Sequence, residues 1–473
     1  MSTNPSFLVL AIVLVLAPFP LGSLNTVWVG FWIVALSLAL LLTRDQQPVV
    51  HRSGPMLAVY VASVAYALVA IAQTVGWSFP PPEPALPAAG REGPASVPAD
   101  NPFTIPDAGI WHAAPAVASL LALVCGVVIA ARTDRAVSLL RLAALSALVW
   151  AAVGLAQWVI DPGHVLWVPR PASSRLSGTF LNPNTAATYH GCATVIFVAL
   201  AGDALRREIS SRREDFAQIL RYVVVRPPGG LVLYGCAAAF ALVATIVTGS
   251  RAGMVATAMG VFVVIALTFR SVPVWRRWRW GVLAVSAVVV FGGVMVFGGE
   301  QMNRVDATTL LEDGRADIYR STVEMILRKP WMGHGLGAFE FAYPAFRAQD
   351  VSIRGIMTRA HSVPLQLAVD LGIVVAALVL VACVWIAWVL LREALTDRRR
   401  RVVPIATFAV LVVAYVHGLV DFSLQIPGFA IVFWLLIGAG LGNALIRPLA
   451  GDGERSREGS GQPRASSRRA SAR

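Results

Sequence analysis

The sequence predicts an all-α polytopic membrane protein of about 12 transmembrane helices, with a partly helical extracytoplasmic loop between spans 9 and 10. Three observations predict it. Hydrophobic residues make up 57% of the 473 positions and charged residues only 14%, with a mean hydropathy of +0.68; a soluble domain carries roughly 25% charged residues. Apolar runs long enough to cross about 30 Å of hydrocarbon recur along the chain. Arginines gather in alternate connections, as retention of positive charge in cytoplasmic loops requires.

In order, the expected spans are 6–22, 27–43, 55–75, 111–131, 137–159, 185–203, 229–248, 252–269, 281–298, 363–391, 404–420 and 430–446, with 185–203 and 404–420 the weakest. With the N-terminus inside, the cytoplasmic connections hold Arg44 and Arg52, then Arg132 and Arg135, then Arg206, Arg207, Arg212 and Arg213. They continue with Arg270, Arg276, Arg277 and Arg279, then Arg398 to Arg401. The arginine-rich tail falls on the same side, which requires an even number of spans. The net charge of +13 is therefore a topology signal, a solvated inner face near anionic membrane lipids, and not a nucleic-acid footprint. The first run lacks a basic leader and a small-residue cleavage site, so it reads as a retained helix. Cys125, Cys192, Cys236 and Cys383 all lie inside spans without CxxC spacing, which supports neither a disulfide framework nor a zinc site.

Residues 1–450 form the expected membrane domain, and 451–473, rich in Ser, Arg and Gly, read as a disordered basic cytoplasmic tail. The loop at 76–110 holds Pro80 to Pro82, Pro84, Pro87, Pro94, Pro98, Pro102 and Pro106, and reads as stiff and extended, without a packed core. The loop at 204–228 is basic and cytoplasmic. The large extracytoplasmic loop, 299–362, differs from these because part of it is periodic. Ile318, Thr322, Met325 and Ile326 share one helical face, while Arg320, Glu324 and Arg328 share another. A helix is predicted from about Gly314 to Leu327, ending before Pro330, followed by a tight turn through Gly333, Gly335 and Gly337.

Candidate functional residues are those nearest the membrane. Arg251, in TGSRAG between two apolar runs, lies at or just inside the outer boundary. That costs about 2.5–3.5 kcal/mol at full depth, offset by an anionic partner or by snorkelling to lipid phosphate. Arg175, in RLSGTFLNPN, has no local structural use and reads as a ligand contact. Asn184 caps the following helix or supports the site. His361 stands where the loop re-enters the membrane, two residues after Arg359; it is an interfacial cap or a general base. Asp370, inside the next span, needs a partner and would hold an arginine or orient a helix. Arg315 begins the loop helix. Acids such as Glu312, Asp313, Asp317, Glu324 and Asp350 balance the loop's bases, so its total charge carries no argument. His334, His190 and His417 are weaker candidates. No HExxH, paired-aspartate, Walker or GxSxG motif supports a metal or a cofactor.

Taken in order, RLSGTFLNPN, SRAG, GRADIYRSTVEMILRKPWMGHGLGAF and RAHSVPLQLAVDLGI resemble the O-antigen ligase and polymerase superfamily of bacterial envelope proteins, over about 175–430. Tyr319 stands where an aromatic, often Trp, is usual; Ser362 replaces a common Asn, and Asp370 a common Glu. The resemblance implies metal-independent, inverting glycan transfer from a polyprenyl (undecaprenyl) diphosphate carrier to an acceptor glycan or lipid A core, at the outer face of the inner membrane. It implies His361 as the base that deprotonates the acceptor hydroxyl. Arg251 and Arg315 would grip the diphosphate, and Arg175 and Arg359 would add contacts to phosphate or sugar, with no metal and no cofactor. The alternative function is a transporter of a small anion or of a lipid-linked glycan.

Overall fold

A computed structural model describes residues 5–43, 54–74, 110–132, 135–169, 175–210, 216–270, 281, 315–347, 357–396 and 401–445. The expected span at 281–298, the Pro-rich loop, residues 299–314 and the tail lie outside the described residues, apart from Gly281 and Ile110 at their edges. The helices are α1 (Pro5–Leu16), α2 (Thr26–Leu41), α3 (Gly54–Thr74), α4 (Ala114–Arg132), α5 (Ala136–Ile160), α6 (Pro183–Ser210) and α7 (Phe216–Val225). They continue as α8 (Gly229–Val247), α9 (Arg251–Phe269), α10 (Arg315–Arg328), α11 (Phe339–Ala342), α12 (Val363–Ala394), α13 (Val402–Gly418) and α14 (Pro427–Leu445). A two-residue antiparallel pair, His164–Val165 with Val168–Pro169, closes the turn after α5.

This is an all-α membrane protein. Among the described residues eight helices, α3 to α6, α8, α9, α12 and α14, are long and apolar enough to cross a bilayer, and the apolar α1, α2 and α13 are shorter. The run at 6–22 yields a helix of only 12 residues. Pro18 and Pro20 lack the N–H that a helix needs, and the chain turns into a short 3-10 segment at Leu21–Ser23. Ser23 fixes that corner by donating to the Ala17 carbonyl at 2.6 Å and accepting from the Trp32 indole at 2.8 Å. The basic stretch at 204–228, expected as a loop, contains the end of α6 and all of α7.

Helices α6 and α14 are nearly enclosed by the bundle, whereas α2, α3 and α12 turn Val27, Val34, Leu57 and Val384 outward. Enclosure explains why the run at 185–203 read as weak. A helix surrounded by protein can carry Thr185, Thr188, His190 and Thr194, all buried, because neighbours supply their partners or packing.

One irregularity shapes the site. At Gly372 the backbone of α12 leaves helical geometry, with φ 82° and ψ 164°. The break frees carbonyls that a continuous helix would consume, and the 330–338 loop takes them. His334 N donates to Val369 O at 2.6 Å, Gly335 N donates to Asp370 O at 3.2 Å, and Ile373 N donates back to Pro330 O at 2.7 Å. Gln73 of α3 closes the junction. Its amide donates to Met332 O (2.6 Å) and Asp370 O (2.7 Å) and accepts from Leu336 N (3.2 Å). The contact is backbone on backbone, so a Cβ on Gly372 would fall 2.1 Å from the Trp331 carbonyl oxygen.

Candidate functional site

The loop helix forms where the periodicity predicts it, at Arg315–Arg328. Its face of Ile318, Thr322, Met325 and Ile326 is buried, packing with Phe339, Tyr343 and Val369. Arg320 and Glu324 lie on the exposed side, and Arg320 pairs loosely with Asp317 at 3.8 Å. Tyr319, one turn after Arg315, donates its hydroxyl to the His361 carbonyl at 3.1 Å. That bond ties the start of α10 to the re-entry segment. The side chain of Arg315 lies outside the described residues.

The re-entry segment is conformationally costly. His361 has φ 53°, a left-handed value that a non-glycine residue adopts only when its surroundings impose it. Ala360 N donates to Gln366 Oε1 (2.7 Å), and Gln366 Nε2 donates to Asp370 Oδ1 (3.0 Å). Asp370 therefore orients its own helix through Gln366. Its charge also acts on Arg359, though no direct ion pair joins the two among the described bonds. Arg359 donates to Gln425 Oε1 at 2.8 Å and lies 5.3 Å over the Phe422 ring. His361 meets the same ring edge-on at 5.0 Å. Phe422 thus spaces the guanidinium from the imidazole. Burial pushes the Arg359 guanidinium down from its usual range, and Asp370 and Asp421 oppose that shift.

A second polar group of side chains joins the ends of α6, α9 and α13. Arg175 donates Nε–H to Thr248 O (3.0 Å) and Nη2–H to Gly249 O (3.5 Å) and Asn184 Oδ1 (3.3 Å). It thereby holds the turn two residues before Arg251, which opens α9 behind the Ser250 cap. Asn184 donates in turn to Asp421 Oδ1 at 3.2 Å. Asn182, not Asn184, caps α6: its Oδ1 accepts from Asn184 N at 2.8 Å, because Pro183 takes the first helical position where no N–H is needed. Asn184 is left to relay between Arg175 and Asp421.

Asp421 is fully buried and accepts from the Ser423 hydroxyl as well as from Asn184. Ser423 Oγ lies 2.9 Å from Thr188 Oγ1, which lies 2.5 Å from His417 Nδ1, and His417 Nε2 lies 3.4 Å from Ser250 Oγ. The carboxylate accepts, so the Ser423 hydroxyl donates to it, while Thr188 Oγ1 also reaches the Asn184 carbonyl at 3.0 Å. His417 bridges Thr188 and Ser250 through its two ring nitrogens. Sequence reasoning ranked His417 low and missed Asp421, Gln425, Gln366 and Gln73. The available signal was HGLVDFSLQ, where Asp421 and Gln425 follow His417 at an outer boundary.

Beside these groups lies a cavity of about 1010 Å³ between α2, α3, α4, α12, α13 and α14. Arg359, Gln366, Asp370 and Gln425 line its polar end; Val59, Leu123, Val379 and Ile386 are among its apolar walls. His334 is a structural staple: its ring donates to Met325 O at 2.8 Å, and burial pushes its pKa down to about 4. Among the described residues no group of three His, Cys, Asp or Glu side chains could hold a metal ion.

Residues 236–380 match a family model described as O-antigen ligase. The chain carries a domain of the O-antigen ligase superfamily. The matched segment runs from within α8 through α9, α10 and α11 into the first half of α12, and so includes Arg251, Arg315, Arg359, His361 and Asp370. Arg175, Asn184, His417 and Asp421 stand outside it and reach it through the bonds above. No curated protein matches the chain. The family points to glycan transfer of the ligase or polymerase type and to lipid-linked glycan substrates in general.

Proposed function

We propose that this protein transfers a glycan from a polyprenyl (undecaprenyl) diphosphate carrier to an acceptor sugar hydroxyl, with inversion and without a metal, at the outer face of the bacterial inner membrane. One observation carries the reading: Arg175, Arg359, His361 and the start of α9 at Arg251 meet at one end of the bundle, linked through Asn184, Asp421 and Phe422.

His361 takes the proton of the acceptor hydroxyl as its oxygen attacks the anomeric carbon of the donor sugar. The bond from that carbon to the phosphate oxygen breaks, and the electron pair leaves with the diphosphate. Charge then grows on the leaving group, and two arginines at helix starts meet it. Arg251 is the first residue of α9 and Arg315 the first of α10, so both positions stand at the positive end of a helix. Arg175 acts chiefly through the turn it holds before Arg251. Arg359 contributes at the mouth of the apolar cavity, whose shape and lining suit an isoprenoid tail. The gathering of polar side chains at one end supports surface chemistry over a path through the membrane. In this reading both termini are cytoplasmic, residues 1–450 form the membrane domain of about 12 spans, and 299–362 is its functional loop.

The test is lipid-linked glycan in cells carrying His361→Ala, Arg251→Ala or Arg315→Ala, each checked for normal insertion. Each variant should accumulate the lipid-linked intermediate, with transfer lowered by about 10²–10⁴-fold for His361→Ala. Normal surface glycan in all three would sink the proposal. The glycan length ladder separates the acceptors: free lipid-linked polymer marks a lost ligase, and single units on the core mark a lost polymerase.

A further inference from the structure

We infer that α7 lies flat in the membrane interface at the end of the bundle opposite the candidate site and takes anionic lipid headgroups there. Helix α6 starts beside the site at Pro183 and ends far from it at Ser210; α8 starts at Gly229 and returns to end at Val247, next to the carbonyl that Arg175 holds. The segment joining them therefore stands at the other face. Between α7 and α8 only Arg226, Pro227 and Pro228 intervene, a reach of about 10 Å at full extension. The prolines prevent a continuous helix. With 10 residues α7 is about 15 Å long, too short to span, and it cannot move away from the bilayer surface.

Its register suits that place. Helical spacing puts positions Phe216, Ile219, Leu220, Val223 and Val224 on one arc, and Gln218, Arg221, Tyr222 and the terminal Val225 on the opposite one. The comparable apolar arc of α10 is covered by α12, whereas Val224 of α7 remains 72% exposed. From Phe216 to Gly230 the chain carries Arg221 and Arg226, both exposed, and no acid. Asp203 pairs with Arg206 (2.8 Å) and Arg207 (2.5 Å) on the preceding helix, but no carboxylate stands within α7 itself. Glu214 and Asp215 directly precede α7, but Arg212, Arg213, Arg221 and Arg226 outnumber them over 212–226; an apolar arc in a stretch with that excess of arginine, tethered at a bilayer surface, fits acidic lipid and not neutral lipid alone.

The experiment uses the full-length protein in nanodiscs, with Val224→Cys carrying an environment-sensitive dye. In discs containing phosphatidylglycerol, shallow spin-labelled lipid should quench the dye roughly threefold more than aqueous iodide does. Quenching by iodide alone would show a helix in water and overturn the inference. Shielding from both quenchers would show a protein cover and overturn it equally. Adding Arg221→Gln and Arg226→Gln should lower the preference for phosphatidylglycerol over phosphatidylcholine by about fivefold per arginine. An unchanged preference would overturn the anionic-lipid assignment. None of these residues belongs to the proposed transfer site, so transfer activity should stay at its normal level, which separates this result from failure of the functional proposal.

Discussion

Two polar assemblies flank His361 and are held by different means. On the α12 side, the 330–338 loop meets the break at Gly372 through main-chain bonds, with the Gln73 side chain closing the junction. On the α6, α9 and α13 side, Arg175, Asn184, Asp421, Ser423, Thr188, His417 and Ser250 join through side chains. The first demands particular backbone shapes and tolerates no added atom. The second demands particular functional groups and can be altered one bond at a time. The His361 backbone, at φ 53°, lies beside both, its carbonyl held by the Tyr319 hydroxyl and its ring packed on Phe422.

The sharpest break in this contrast is Gly372→Ala. Its φ and ψ lie in a region that only glycine occupies readily, and a Cβ overlaps the Trp331 carbonyl. Stability should fall by at least about 3 kcal/mol, strain and overlap together, read as a lowered melting temperature of the purified protein. A melting temperature equal to wild type would mean that the backbone junction is dispensable. Next in size is Asp421→Asn, which removes the acceptor at the end of the side-chain line. A loss of about 1.5–3 kcal/mol is expected, with amide protection of 330–338 unchanged; a loss of that protection would show that the two assemblies are one.

Acid probes the backbone-held side alone. Burial holds the His334 pKa at about 4 against an ordinary 6.5, so the unfolded loop binds the extra proton between those values. The His334 contribution to loop stability is full above about pH 6.5 and falls as pH drops toward 4, with protection factors of 330–338 declining by up to about tenfold per pH unit. Lys329, held near 8 by burial against 10.5, adds stability of the same sign, gained as pH rises from 8 to 10.5. Flat protection between pH 7 and 5 would remove His334 from this role. The smallest effect is expected for Gln425→Ala, which takes one hydrogen bond from Arg359. On the proposed function, KM for the lipid-linked donor should rise about fivefold with kcat little changed; a fall in kcat alone would move Arg359 from binding to chemistry.

Much of the loop was legible. The spacing of Ile318, Thr322, Met325 and Ile326 gave both the α10 helix and its buried face, since a 3.6-residue period requires no tertiary information. Gly333, Gly335 and Gly337 all adopt positive φ, as a tight turn requires. The cap on α6 was misassigned by two residues, because Asn182 and Asn184 are equivalent in type and only Pro183 between them decides which precedes the helix. Helix α7 was missed because its ten residues sit in a basic stretch whose charge pattern dominates its periodicity.

By itself the sequence determined an apolar helical chain and the loop helix, and it pointed to Arg251, Arg315, Arg359 and His361 as candidates. Those follow from local composition and period. Only the tertiary structure decided that Arg175 serves the turn before Arg251, that Asp370 acts through Gln366, and that Asp421 and His417 share one polar line. These depend on which helix ends meet in space, and residues as far apart in sequence as Gln73 and Asp370 or Asn184 and Asp421 carry no mark of the partner that satisfies them.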